Sequence, residues 1–404
     1  MSETTSLSRI LVTVAGPDQV GITAKLTQAI ADGGAHLLDI EQVVLQGQLT
    51  LVLVLGLPNE GAGERVLKDL LFGAKRMGLD LSFQPLDVGW HEVVAAEPNR
   101  YAVTAIGDRL DAREVAELAR ILAENGANID SIRRLSEDGL SSVEAIVVLP
   151  DAGEGAKNLR RRLMDAMHAL DVDVAVQRER LTRRTKRLVV MDMDSTLIQI
   201  ECIDELARMH GVVDQVSSIT ARAMAGELDF SQSLKARVGL LEGMPWEQVV
   251  SLADRLPVTE GARDMLKVLR TLGYKTAVIS GGFTFAANKL KADLGLDYAF
   301  SNELEVKDGK LTGRVIDPIV HAQRKADLLE EIAKREGIAI DQTIAIGDGA
   351  NDLPMLERAG LGIAFHAKPK LKAAADTSVS RGGLDRMLYL LGLHARDVRE
   401  VLGR

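Results

Sequence analysis

Cysteine is almost missing from this chain: among 404 residues only Cys202 carries a thiol. A single cysteine excludes an internal disulfide framework and any multi-cysteine metal knuckle. The seven histidines are scattered and form no H-x-x-x-H pair of the kind that grips zinc. Aromatic residues make up 3% of the chain, too few for a platform on which single-stranded nucleic acid stacks. Net positive charge is lacking too: 49 Lys and Arg face 58 Asp and Glu, a formal charge of −9. That balance suits a phosphate backbone poorly, so nucleic acid is not an expected partner. Long apolar runs are missing as well. The longest, 49–57, contains Thr50 and Gly56 and falls far short of a membrane span. The first ten residues are polar and lack the apolar core of a signal peptide, so the expectation is a soluble cytoplasmic protein with no membrane partner. Neither a Walker A motif nor G-x-G-x-x-G occurs, which removes ATP and NAD as expected ligands.

What is present is ample core material: 46% hydrophobic and 26% charged residues, on a length that predicts two or three domains. An internal repeat organises the first part. Gly34-Ala35 returns as Gly126-Ala127, and Leu57-Pro58 as Leu149-Pro150, both shifted by 92 positions. Each copy reads as a strand (10–14; 101–106), a helix-period stretch marked by Ile22, Leu26 and Ile30 or by Val115, Leu118 and Leu122, and two extended segments (37–45 with 49–55; 129–135 with 142–149). A second helix (64–77; 156–170) and a last strand (79–86; 172–177) close each copy. This is βαββαβ written twice, an α+β ferredoxin-like pattern. The two copies, 1–86 and 100–177, resemble ACT domains, regulatory modules that bind amino acids at paired interfaces. The first carries Gly16-Pro17-Asp18-Gln19-Val20-Gly21 between strand and helix, where small residues let backbone approach a ligand and a helix N-terminus accepts a carboxylate. Gly16, Asp18 and Gly21 are therefore candidate contacts for an L-serine effector. The competing reading is a capping turn with Asp18 as cap. The second copy has Arg109-Leu110-Asp111-Ala112 there, without the second glycine, which speaks against a ligand in that copy. Residues 86–100 read as the inter-repeat linker. A basic run, 178–187, holds six Lys and Arg against Glu179 and reads as a solvated connection.

From Leu188 the pattern changes to α/β. The apolar run 188–191, expected as a parallel strand buried on both faces, ends in Asp192-Met193-Asp194-Ser195-Thr196. Carboxylates at i and i+2 on extended backbone point to one side and can divide nucleophilic and proton-transfer work, although aspartates also end strands as turn residues. A second strand, 274–279, ends in Ser280-Gly281-Gly282 before a helix: an anion cradle, or a tight glycine turn. Lys325 lies in a Lys/Glu-rich helix, where a lysine is most simply a surface charge. A third strand, 343–346, ends in Gly347-Asp348-Gly349-Ala350-Asn351-Asp352, acidic oxygens suited to a hard cation. In an open parallel sheet these strand ends would converge beyond the carboxyl edge.

The ordered set D-x-D-x-T, S-G, K, G-D-G-x-N-D resembles the haloacid dehalogenase superfamily of aspartyl-phosphate phosphatases. Glu201, and a helical insert 203–256 with Met224, Phe230 and Arg237, are similar to the small cap of phosphoserine phosphatases. The resemblance spans 188 to about 381 and, with the two ACT-like units, matches the long bacterial form of that family. It implies a Rossmann-type parallel sheet with a helical cap over 188–404. It also implies hydrolysis of O-phospho-L-serine as the last step of serine biosynthesis, with feedback by serine. Asp192 would be the nucleophile and Asp194 the general acid and base. Mg2+ would sit on Asp192, Asp348 and the main-chain carbonyl of Asp194, supported by Asp352. Ser280, Gly281, Lys325 and Asn351 would cradle the phosphoryl group, Arg237 would grip the substrate carboxylate and Glu201 its ammonium. As plain surface charges of the cap, Glu201 and Arg237 would need no such roles, and Met224 and Phe230 would be ordinary packing. ACT-like units pair, so a homodimer is expected. The alternatives are a phosphatase of another small phosphomonoester and an amino-acid-sensing regulator.

Overall fold

The computed structural model describes residues 8–57, 60–86, 99–137, 141–151 and 153–404. The expected linker therefore lies, from 87 to 98, outside the described residues. The chain divides into two compact bodies, the second formed by residues 99–404.

In the first body, β1 (Ser8–Pro17), α1 (Ile22–Asp32), β2 (His36–Leu45), β3 (Gln48–Leu57), α2 (Glu60–Arg76) and β4 (Asp80–Leu86) build an antiparallel sheet of order β2-β3-β1-β4. Alternation along β1 sends Ile10, Val12 and Val14 to the helical face, where Ile22, Leu26 and Ile30 of α1 meet them at helical spacing. The helix opens on Gly21, in the left-handed region at φ 90° and without a side-chain cap, so Asp18 is not the cap. Strand β2 is exposed along its whole length, including Leu38, Ile40, Val43, Val44 and Leu45.

The second body begins with the other copy: β5 (Asn99–Ile106), α3 (Ala112–Glu124), β6 (Asn128–Arg134), β7 (Ser142–Leu149), α4 (Glu154–His168) and β8 (Asp173–Arg178), in the equivalent order β6-β7-β5-β8. Here the loop before the helix serves capping: Asp111 and Glu114 form a reciprocal capping box, and Leu110 is buried. Strands β5, β7 and β8 of this sheet are covered on both faces, while the edge strand β6 is largely exposed. The sheet's second face packs on the α/β region, with Ile106 and Ala175 inside that region's core, Gln177 donating to the Leu390 carbonyl at 2.9 Å and Thr377 donating to that of Val174 at 3.1 Å.

The α/β region carries β9 (Leu188–Met191), β10 (Lys275–Phe283), β11 (Tyr298–Lys307), β12 (Lys310–Ile316), β13 (Thr343–Gly347), β14 (Gly362–Phe365) and β15 (Thr377–Val379), in the order β12-β11-β10-β9-β13-β14-β15. All neighbours are parallel except β11 and β12. The central strands β9, β13 and β14 are wholly buried, which accounts for their unbroken apolar sequences. Met191 pairs with Val278 on one side and Ile346 on the other, so the residues after all three strands emerge level at one edge. Between β9 and β10 stand the helices Cys202–His210, Val213–Met224, Phe230–Gly239 and Trp246–Ala253, the helical insert expected there. Among the described residues no helix is long and apolar enough to cross a membrane.

The structure corrects the reading of the basic run in part: Arg178, Arg180, Arg184 and Arg187 are exposed as expected, but Arg183 and Lys186 are buried, because the run threads the seam between the second copy and the α/β region. Arg183 is neutralised there by Glu144 and Glu179.

Candidate active site

The turn after β9 is fixed from several directions. Asp192 and Asp194 both have extended backbone, as the i, i+2 reading requires, and Ser195 follows at φ 56°, a left-handed conformation costly for a residue with a Cβ. The turn is held by the Met193 amide donating to Asp192 Oδ1 (2.7 Å), by Ile198 N on the Met193 carbonyl (2.9 Å) and by the Thr259 hydroxyl on the Thr196 carbonyl (2.7 Å). These bonds aim both carboxyls into a cavity of about 550 Å³ under the helical insert.

Around that cavity the structure gathers Asp192, Asp194, Glu201, Met224, Phe230, Arg237, Ser280, Gly281, Asp348 and Asn351. Lys325 and Asp352 lie fully buried just beneath, not at the surface as a Lys/Glu-rich helix would suggest. Lys325 Nζ bridges Asp192 Oδ2 at 2.8 Å and Asp352 Oδ1 at 2.7 Å. Its helix, Ala322–Glu336, buries an apolar stripe through Ala326, Leu329 and Ile332, and that stripe draws Lys325 inward. Met224 is 72% exposed, which removes the reading of it as packing; Phe230 is half-buried. Gly16, Asp18 and Gly21 belong to the first body and are described apart.

Strand β10 runs on through Ser280-Gly281-Gly282 to Phe283, so the pair of glycines lies within a strand and not in a turn. The reason for the glycines is close approach. A Cβ on Gly282 would come within 2.6 Å of Asp194 Oδ2, and one on Gly281 within 2.7 Å of the Phe230 ring. Ser280 Oγ accepts from the Gly282 amide at 2.8 Å, and Asn302 braces the segment by donating to the Gly281 carbonyl at 2.7 Å.

The electrostatics divide the acids. Burial first, then the charges of Glu201 and Asp192, raise the Asp194 carboxyl well above its ordinary value. Burial likewise raises Glu201, whose Oε1 accepts from the Ser195 hydroxyl at 2.9 Å. Asp348 is pushed up to about 6 by burial and by Asp192, although the Thr196 hydroxyl donates to it at 3.0 Å. Asp352 is raised by burial and by Asp192 against the pull of Lys325. Burial alone would lower Lys325, but its two carboxylates more than offset that and hold it above its ordinary value. Oxygens of Asp192, Asp348 and Asp352 lie within 4.8 Å of one another, a group that could hold a metal ion. The all-oxygen, like-charged set fits a hard dication and explains why Asp348 and Asp352 are raised without one. Asp194 takes no side-chain part in that group.

At the opposite wall Arg237 stands on the helix Phe230–Gly239, started by the Asp229–Gln232 capping box and anchored through Leu234 and Val238. Its Nε donates to the Ser233 carbonyl at 3.4 Å, and it has no ion pair among the described residues. Burial lowers its pKa against the charges of Asp204 and Glu201. A half-buried guanidinium without a carboxylate is positioned for an anion.

Sequence reasoning missed Lys368 and Lys370, which line the same cavity after β14, and Thr196 as the hydroxyl on Asp348. The first two had a usable signal: the basic stretch 368–372 directly follows a strand whose carboxyl end belongs to the same edge. Thr196 was in the D-x-D-x-T motif itself.

Comparison with known proteins defines the class. Residues 189–357 match the haloacid dehalogenase-like hydrolases, and residues 8–84 and 100–177 each match the ACT domain. The phosphoserine phosphatase SerB2 of Mycobacterium tuberculosis is 42% identical over 96% of this chain and 94% of its own length. A phosphoserine phosphatase of Streptomyces coelicolor is 42% identical over 98% and 95%. The crystal structure of a haloacid dehalogenase family hydrolase from Salmonella enterica serovar Typhi superposes with a TM-score of 0.63 at 33% identity, covering 72% of this chain and 98% of that one. The chain belongs to the phosphoserine phosphatase family of haloacid dehalogenase-like hydrolases, with two ACT domains ahead of the α/β domain.

Proposed function

We propose that the chain hydrolyses O-phospho-L-serine to L-serine and phosphate through an aspartyl phosphate on Asp192. The observation that carries this reading is the contrast between two adjacent carboxyls. Asp192 has a buried ammonium 2.8 Å from Oδ2, whereas burial raises the Asp194 carboxyl well above its ordinary value and so favours its protonated form. Asp192 attacks phosphorus. Asp194 gives its proton to the departing serine oxygen and then takes one from the water that cleaves the aspartyl phosphate. Ser280, the Gly281 amide, Lys325 and Asn351 surround the phosphoryl oxygens, where positioning and charge stabilisation dominate. Asp192, Asp348 and the Asp194 carbonyl would hold Mg2+, with Asp352 at their side. When bound, the ion neutralises phosphoryl charge and lets two anions approach. The experiment is phosphate release across a panel of phosphomonoesters with and without Mg2+; faster turnover of sugar phosphates would remove the substrate assignment.

Arg237 takes the substrate carboxylate and Glu201 its ammonium. Arg237→Ala is therefore expected to cost about 10–100-fold in kcat/KM for phosphoserine, a charged hydrogen bond's worth. Phosphoethanolamine, which lacks the carboxylate, should be affected little. Equal losses on both compounds would place Arg237 elsewhere.

Mg2+ needs Asp348 ionised. With that carboxyl at about 6 in the metal-free chain, protons compete below pH 6 and not above it. The Mg2+ concentration for half-maximal activity should rise about tenfold from pH 7 to pH 5. A flat dependence would mean that Asp348 is not a ligand.

The same proposal includes regulation: L-serine binds the first ACT domain at Gly16, Asp18 and Gly21, on a helix start free of a side-chain cap. A homodimer forms through the ACT domains, in keeping with the exposed apolar edge strand β2. Asp18→Ala should abolish serine inhibition that is not competitive with substrate and leave product inhibition at the active site in place. Sedimentation of the same samples should give a dimer. Serine inhibition that is purely competitive, or a monomer throughout, would overturn the respective part.

A further inference from the structure

A second cavity lies on the seam that the basic run threads, and none of its lining residues lines the first cavity. It encloses about 170 Å³ and is lined by Arg160 of α4, by Arg178 and Arg180, by Arg183 and Lys186, and on the α/β side by Asp341 and Asp376. Five cationic side chains thus face two acidic ones.

How those cations are used decides the matter. Arg160 is engaged, donating to Asp376 Oδ1 at 2.9 Å and to the Val176 carbonyl at 3.2 Å. Arg183 is neutralised by Glu144 and Glu179. Lys186 is not neutralised: it is 94% buried by its 6% exposure, its ammonium donates only to the Asp341 carbonyl at 2.6 Å, and no carboxylate lies within ion-pair distance among the described residues. Arg178 and Arg180 are exposed and likewise have no side-chain partner there. A buried ammonium with a carbonyl but no counter-ion is costly unless an anion completes it. Burial accordingly pushes Lys186 down to about 8, against the charges of Asp341 and Asp376 and with that of Arg183.

We propose that this seam cavity binds a small oxyanion of the phosphate class, held by Lys186 from below and by Arg178 and Arg180 at the rim. Its volume is well under the roughly 300–1,000 Å³ of pockets for drug-sized ligands, which admits free phosphate and excludes a nucleotide. The anion would tie the second ACT domain, through β8 and α4, to the segments leading into β13 and β14. The inference does not depend on the reaction assigned to the other cavity.

The test is equilibrium dialysis of the full-length chain against labelled inorganic phosphate in EDTA, with chloride fixing the ionic strength. Ser280→Ala provides a background in which the active-site cradle is impaired. One saturable phosphate per chain is expected to remain in Ser280→Ala, displaced by sulfate and not by further chloride. Arg178→Ala/Arg180→Ala, two exposed changes that leave the core intact, should weaken it at least tenfold, and Lys186→Met should do the same. Loss of all saturable binding in Ser280→Ala would overturn the proposal by assigning the phosphate to the active site. Binding indifferent to the double arginine change, or displaced equally by chloride, would overturn it too.

Discussion

Asp192→Asn is expected to lower kcat for phosphoserine by at least about four orders of magnitude while leaving the fold intact, a loss of the size seen when a nucleophile is removed. The amide is nearly isosteric, its oxygen can still accept from the Met193 amide, and Lys325 keeps its second carboxylate, Asp352. What disappears is the oxygen that bonds to phosphorus. Substrate binding should survive, because a neutral amide repels a phosphate less than a carboxylate does. Equilibrium binding of phosphoserine to the variant separates the two effects: kcat falls and affinity does not. Acid quenching of the wild-type enzyme during turnover should leave a phosphoryl group on the peptide that contains Asp192, and the variant should show none. Activity within a hundredfold of wild type, or the label on Asp194, would reverse the assignment. Asp194→Asn is the partner experiment. Without a proton for the leaving serine oxygen it should be slow in the same assay while keeping its nucleophile.

Much of this site was legible because Asp192 and Asp348 directly follow buried parallel strands and Ser280 follows the apolar run of another. The apolar runs before Asp192, Ser280 and Asp348 are buried parallel strands, and parallel strands deliver their ends to one edge; order along the chain therefore became proximity in space. The twofold βαββαβ pattern was legible for a similar reason, since one-sided burial writes alternation into β1 and a 3.6 period into α1. What stayed hidden depends on partners far away in the chain. Lys325 reads as a surface lysine because its helix is rich in Lys and Glu; only the burial of Ala326, Leu329 and Ile332 turns it inward. Arg183 and Lys186 read as solvated because nothing local shows that the second ACT domain packs on the α/β domain across them. The close approaches at Gly281 and Gly282 are likewise invisible in one dimension, as they are set by the Phe230 ring and the Asp194 carboxylate.

Lys325→Met should be the most damaging single change to both stability and rate, because one ammonium stands against three buried or half-buried carboxyls, Asp192, Asp348 and Asp352. Removing one partner of a buried ion pair leaves its charges uncompensated and costs about 3–5 kcal/mol. Loss of a cation from the phosphoryl cradle costs about 10²–10³ in kcat. The two losses respond differently to conditions. In EDTA the Asp348 and Asp352 carboxyls of the variant rise further, so the folded chain holds protons that the unfolded chain has already released. Where the native state binds more protons, stability falls as pH rises, here from the ordinary carboxyl range near 4 through the raised folded values. Asp348, at about 6 even with Lys325 present, already gives the wild type a shallow form of this decline. Lys325 itself does not titrate in that window, since its folded pKa is raised and its contribution is complete below the ordinary lysine value. The stability gap between variant and wild type should therefore be small at pH 5 and widen towards pH 8. Excess Mg2+ should narrow it again, as a dication bound only by the folded state stabilises by mass action. The lost rate should not return with it, because a metal on the aspartates does not replace an ammonium beside the phosphoryl oxygens. Denaturation in EDTA at pH 5 and pH 8, repeated with Mg2+, measures the first effect, and kcat at saturating Mg2+ the second. A variant as stable as wild type at pH 8 in EDTA would show that the three carboxyls are not held together by Lys325.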